Sequence, residues 1–139
     1  MLQVVPAVLT DSVEVLEEKI RVFEIMGKFK KLHLDIIDGE FAENKTVSLE
    51  AVSSIETSMA YDIHLMVSEP VLWIDRAVAA SCERVIGQIE KMGDQEAFVK
   101  KVLEAGLKPG LAVDLETPVE NLAPMVISEV DTILLMGVR

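Results

Sequence analysis

Cysteine is all but missing from this chain: Cys82 stands alone among 139 residues. No intrachain disulfide can form, and a reducing cytoplasm is the compartment this implies. The thiol itself reads as a small buried hydrophobe rather than a nucleophile. Basic residues are scarce too, 13 against 24 acidic ones, for a formal net charge of −11. That balance argues against nucleic-acid binding, which needs basic patches to meet phosphates, and against an anionic membrane surface. No apolar run approaches membrane-spanning length, and the N-terminus has no basic region leading into an apolar stretch. Histidine occurs only twice.

What is present suits one globular domain. Half of the residues are hydrophobic, enough for a core, and no linker or low-complexity segment interrupts them. Short β-rich runs alternate with amphipathic ones. Val4 to Val8 reads as a strand, and Asp11 followed by Glu14 reads as a helix start. Val13, Leu16, Ile20 and Phe23 follow at helical spacing, with Gly27 as terminator. Leu32 to Ile37 is the second predicted strand and Ile63 to Val67 the third. Between them come an irregular stretch, Asp38 to Val47, and a short helix from Leu49 to Ser54. A loop that long after a strand is more often functional than idle. Pro70 opens the next helix. Arg84 to Ile89 is the fourth strand, Gln95 to Ala105 a helix closed by Gly106, and Leu107 to Val113 the fifth strand. A helix from Pro118 to about Val126 and a sixth strand from Thr132 to Val138 complete the series. Strict alternation with near-continuously apolar strands predicts an α/β fold, a parallel sheet covered by helices.

Both histidines fall on predicted strands. The first lies in Leu32-His33-Leu34-Asp35-Ile36-Ile37-Asp38-Gly39-Glu40-Phe41, the second in Tyr61-Asp62-Ile63-His64-Leu65-Met66-Val67. Residues two apart on a strand share a face, so His33 and Asp35 project together, and a neighbouring parallel strand brings His64 alongside. Two imidazoles and a carboxylate at strand ends can hold a divalent cation, and the carboxylate can serve as a general base. The plainer alternative is a pair of packed, hydrogen-bonded core histidines.

The run from Leu32 to Asn44, followed by Asp62-Ile63-His64-Leu65-Met66, resembles the signature of the ribulose-phosphate 3-epimerase family. Val5-Pro6-Ala7-Val8-Leu9 is similar to the family's first strand. Gly110-Leu111-Ala112-Val113 with Glu116-Thr117-Pro118-Val119-Glu120 is similar to its fifth strand and following turn, and Val130 to Met136 to its sixth. The resemblance implies a (β/α)8 TIM barrel, reaching here to about the sixth strand. That is roughly three-fifths of a barrel of ~250 residues. It implies metal-dependent interconversion of ribulose 5-phosphate and xylulose 5-phosphate by proton transfer at C3. His33, Asp35 and His64 would be three of four protein ligands to a divalent ion (Zn, Fe, Mn or Co). Asp35 would also be one of two acid/base carboxylates. The partner is then a small phosphorylated sugar. Its phosphate needs no bulk positive charge, because backbone N–H groups at helix starts can bind it. Met66 and Met136 match methionines that pack against the intermediate.

Several positions depart from the family's pattern. Ala7 stands where a Ser usually contacts substrate, Ile37 where a Met is usual, and Ala42-Glu43-Asn44 where the loop reads Val-Pro-Asn. Gln88 replaces a frequent fourth-strand His. Asp38, in an Asp-Gly pair, reads as a loop-shaping residue. The family's second carboxylate belongs to its seventh strand and its phosphate grip to later Gly-rich loops, none of which lies before Arg139. The 139 residues are therefore expected to be part of a longer barrel. Alone they are expected to be inactive as an epimerase, with open sheet edges that favour self-association or leave apolar surface open to a dye.

Three other readings compete. Barrels of the orotidine-phosphate decarboxylase and hexulose-phosphate synthase group use an Asp-x-Lys-x-x-Asp array, and here Ile36 and Ile37 follow Asp35 without the lysine. A non-catalytic remnant could keep the scaffold and bind a metal or a partner. A doubly wound α/β module would show the same periodicity, with its ligand at a reversal of strand order.

Overall fold

Pro6 determines how short the first strand is. Without an N–H it cannot donate to a ladder, and only Ala7–Val8 (β1) pairs with the next strand, not the whole predicted stretch from Val4. The Pro6 carbonyl still accepts the His33 N–H at 2.9 Å. The computed structural model describes residues 2–137. Helix α1 (Val13–Met26) is capped by Ser12, whose Oγ accepts the Val15 N–H at 3.2 Å. The cap is thus one residue beyond the expected Asp11. Gly27 ends the helix at φ 61°, a left-handed conformation that costs little without a Cβ.

The chain continues through β2 (Lys31–Ile37), α2 (Leu49–Ser53) and β3 (Ala60–Met66). A 3-10 turn, Pro70–Trp73, runs into α3 (Ile74–Ala79), followed by β4 (Cys82–Gln88), α4 (Gln95–Glu104), β5 (Lys108–Val113) and β6 (Thr132–Leu135). The helix predicted from Pro118 to Val126 does not form. One 3-10 turn, Val119–Asn121, is followed by irregular turns. Pro124 explains this, because in a helix its ring would clash with the Glu120 carbonyl and it has no N–H to offer. β6 stops at Leu135; Val138, the predicted end of that strand, lies outside the described residues.

All six strands are parallel, and each lies beside its predecessor in the order β1-β2-β3-β4-β5-β6. A doubly wound sheet needs a reversal of strand order. None occurs among the described strands, so that alternative falls. The sheet is a curled half-barrel with helices on its outer side.

Period-two alternation divides the sheet chemically. The outer face carries Leu32, Leu34 and Ile36 of β2, Ile63 and Leu65 of β3, Val85 of β4 and Leu111 and Val113 of β5. Against them pack Leu16 and Ile20 of α1, Val52 of α2, Ile74 of α3, and Phe98, Val99 and Val102 of α4. Gly87 lets α4 approach closely: a Cβ there would come within 2.7 Å of Phe98 Cζ. Cys82 belongs to the same core, and burial pushes its thiol pKa up to about 12, as suits an inert packing residue.

The concave face carries the buried polar groups, beside Ile37, Met66 and Ile86. At the N-terminal ends of the strands, Arg84 donates to Asp62 Oδ2 at 2.5 Å and reaches Asp131 at 2.5 Å. Lys31 Nζ lies 3.2 Å from Asp62 Oδ1, as an ion pair without hydrogen-bond geometry. Lys31, Asp62, Arg84 and Asp131 thus form a chain of opposite charges along the floor. Outward-facing Ile133 and Leu135 of β6 are 40% and 65% exposed, with no helix over them among the described residues.

Candidate metal centre

At the other end of the concave face, His33 and Asp35 occupy alternate positions of β2, as the period of two requires. The β2–β3 ladder places His64 directly opposite Asp35. Asp35 Oδ1 lies 3.1 Å from His33 Nε2 and 2.9 Å from His64 Nδ1. One ligand atom from each residue falls within 4.8 Å of the others, and this is the one such group among the described residues. His33, Asp35 and His64, predicted to converge, are brought together.

Burial alone would raise the Asp35 pKa. Hydrogen bonds and electrostatic attraction from His33 and His64 outweigh it, and hold the carboxyl well below the usual range. Asp35 is therefore an acceptor-only group at neutral pH.

His64 is 1% exposed and has an oxygen at each ring nitrogen: Asp35 Oδ1 at Nδ1, and Gln88 Oε1 at 2.7 Å from Nε2. A neutral imidazole has one N–H to give. Facing the acceptor-only Asp35, Nδ1 donates that hydrogen in the metal-free site; an ion bound between them would take its place, and the hydrogen would pass to Nε2, where Gln88 Oε1 can accept it. The donor set of two imidazole nitrogens and one carboxylate oxygen suits a divalent transition ion. The residues fit a metal.

An open hollow of about 420 Å³ adjoins the centre, lined among others by Asp35, Met66, Gln88 and Met136. Both methionines singled out in the sequence are thus at the site. Ala7 pairs with His33 in the ladder, but it is Leu9 of that segment that lines the hollow. Phe41 and Asn44 form its wall from the long loop after β2. Asp114 also lines it and escaped the sequence reading. It follows β5, and a carboxylate at the C-terminal end of a barrel strand was the signal available. Its Oδ1 accepts the Leu115 N–H at 2.7 Å. A separate hollow between α4 and the Met125–Glu129 turns holds no converging metal-ligating set.

Asp38 shapes the loop, as expected. Its Oδ1 accepts the N–H groups of Glu40 and Phe41 at 2.8 and 2.9 Å, and its Oδ2 accepts that of Ser68 at 2.8 Å. Lys91 reaches over from beyond β4 to the Glu40 carbonyl.

The profile of the ribulose-phosphate 3 epimerase family matches residues 3–139. The chain belongs to that family. The ribulose-phosphate 3-epimerase of Bacillus subtilis (strain 168) is 29% identical over 142 residues, covering 100% of this chain and 64% of the relative. The cytoplasmic isoform of Oryza sativa subsp. japonica is 31% identical over 113 residues, covering 78% of this chain and 50% of the relative. The Treponema pallidum enzyme is 29% identical over 136 residues, covering 96% and 62% respectively. The chain thus spans between half and about two-thirds of the length of these relatives.

Proposed function

We propose that this chain carries the metal-binding half of a ribulose-phosphate 3-epimerase site, acting on a pentulose 5-phosphate at C3. The observation that carries the reading is the convergence of His33, Asp35 and His64 at the C-terminal ends of β2 and β3 in a member of that family. Barrel enzymes place their chemistry at that end.

In this reading His33, Asp35 and His64 hold a divalent ion. When bound, it supplies Lewis-acid stabilisation of the negative charge that builds on the substrate oxygens as C3 loses its proton. Asp35 takes the proton. Its position beside both imidazoles keeps the carboxylate ionised and oriented, so it is ready as a base. Met66 and Met136 offer a polarizable apolar cover over the planar intermediate. Inverting C3 also requires an acid on the opposite face of that intermediate. Asp35 alone can remove the proton and return one to the same face, which exchanges it with solvent without inversion.

The natural partner is a small phosphorylated sugar, and the net charge of −11 speaks against nucleic acid. Among the described residues no helix is long and apolar enough to cross a membrane. A cytoplasmic setting and self-association belong to the same reading.

The test is deuterium incorporation at C3 of ribulose 5-phosphate in D₂O, followed by NMR with the Zn²⁺- or Mn²⁺-supplemented chain. Exchange that needs both metal and Asp35 supports the reading. Metal binding without any exchange would make the chain a non-catalytic scaffold.

A further inference from the structure

We infer that Gln88 is a positioning residue for the metal centre, accepting the His64 Nε2 hydrogen when Nδ1 turns its lone pair to an ion at Asp35 and His33. The inference deepens the metal reading above and rests on it. Gln88 is 1% exposed and lies at the end of β4, and its Oε1 meets His64 Nε2 at 2.7 Å. A buried amide oxygen at that distance gives the ring hydrogen a partner on Nε2 once Nδ1 is needed as a ligand. Nδ1 lies at the meeting point of the three ligands. Metal-bound histidines characteristically give their other ring N–H to an oxygen in this way, and the partner fixes both tautomer and ring angle.

The backbone of Gln88 is held from two sides. Its ladder partner on β5 is Ala112. Its neighbour Gly87 is pressed against Phe98 from the outer face, with no room for a Cβ. The side chain following such a contact points to the concave face with little freedom to shift. The geometry therefore gives the amide one task, and the ring it faces has no comparable partner on that nitrogen.

The 139-residue chain is compared with its Gln88→Leu and Gln88→Glu variants, using Zn²⁺ alone as the probe. Ring ¹⁵N spectra of the Zn²⁺-loaded wild type should show Nδ1 on the metal and the hydrogen on His64 Nε2. Gln88→Leu should weaken Zn²⁺ binding about 10–100-fold in chelator competition. Gln88→Glu keeps an acceptor oxygen and should restore the affinity. Coordination of Zn²⁺ through His64 Nε2 in the wild type overturns the inference, and unchanged Zn²⁺ affinity in Gln88→Leu overturns it as well. A wild type that binds no Zn²⁺ defeats the metal reading instead. Should Gln88→Leu fail to fold, the Zn²⁺-loaded wild-type spectrum and the Gln88→Glu affinity decide alone.

Discussion

His64 stands opposite Asp35 in the β2–β3 ladder, with Nδ1 2.9 Å from Asp35 Oδ1. The two residues are 29 positions apart in sequence, and a parallel pairing in correct register is what joins them. A shift by one residue would turn either side chain into the apolar core. The site therefore depends on the same alternation that buries Leu34 and Ile63 on the other face.

Asp35 is expected to carry both proton transfer and part of the ion's hold. Asp35→Asn should lower metal-dependent exchange at C3 by about 10²–10⁴-fold, the usual cost of losing a general base. It should also weaken Zn²⁺ binding. Near-normal exchange in the variant would assign the proton transfer to another group, with Asp114 the first to test. The companion change is Ala7→Ser. If the missing hydroxyl impairs substrate contact, restoring it should raise the exchange rate at limiting sugar phosphate.

Asp38 should make the loop wall acid-sensitive. Burial disfavours its charge, but N–H groups from Phe41, Ser68 and Glu40 more than compensate and depress its pKa. A depressed carboxyl stabilises the fold fully above its unfolded pKa of roughly 3.9. That contribution fades as pH falls toward the lower folded value. Asp38→Ala should cost about 1–2 kcal/mol at neutral pH, since three backbone donors lose their acceptor. Urea titrations at pH 7 and pH 3 check this: the gap between wild type and variant should narrow in acid. A gap independent of pH would show that packing, rather than the charge, accounts for the loss.

The outer face of β6 should make the 139-residue chain self-associate or bind an apolar dye. Ile133 and Leu135 are exposed side by side on one face of a strand whose far edge has no partner among the described residues. Leu135→Lys should reduce dye fluorescence and shift sedimentation toward the monomer. A wild-type chain that sediments as a monomer and leaves the dye dark would contradict the expectation.

Much of this was legible in the sequence, for identifiable reasons. The spacing of His33 and Asp35 prescribes a shared face whatever the topology. The long apolar strands declare a covered parallel sheet. Strand order was not legible, because barrel and doubly wound sheets alternate alike. The link between Gln88 and His64 was hidden too. It depends on the β3–β4 register, which shifts between Tyr61 and Asp62, and no local pattern encodes such a shift. The helix expected from Pro118 to about Val126 fails at Pro124, and β1 is shortened at Pro6.

The chain of ion pairs along the floor bears on where an ion can go. Asp62 is a carboxylate on the concave face of β3, on the same side of that strand as His64, and directly opposite His33 in the ladder. It could have competed for a cation. Lys31 and Arg84 already occupy its two oxygens, and Asp131 absorbs the remaining guanidinium charge. The lower half of the face is occupied by ion pairs, and His33, Asp35 and His64 in the upper half are the one converging donor set among the described residues. The ion pairs below would direct an entering cation upward.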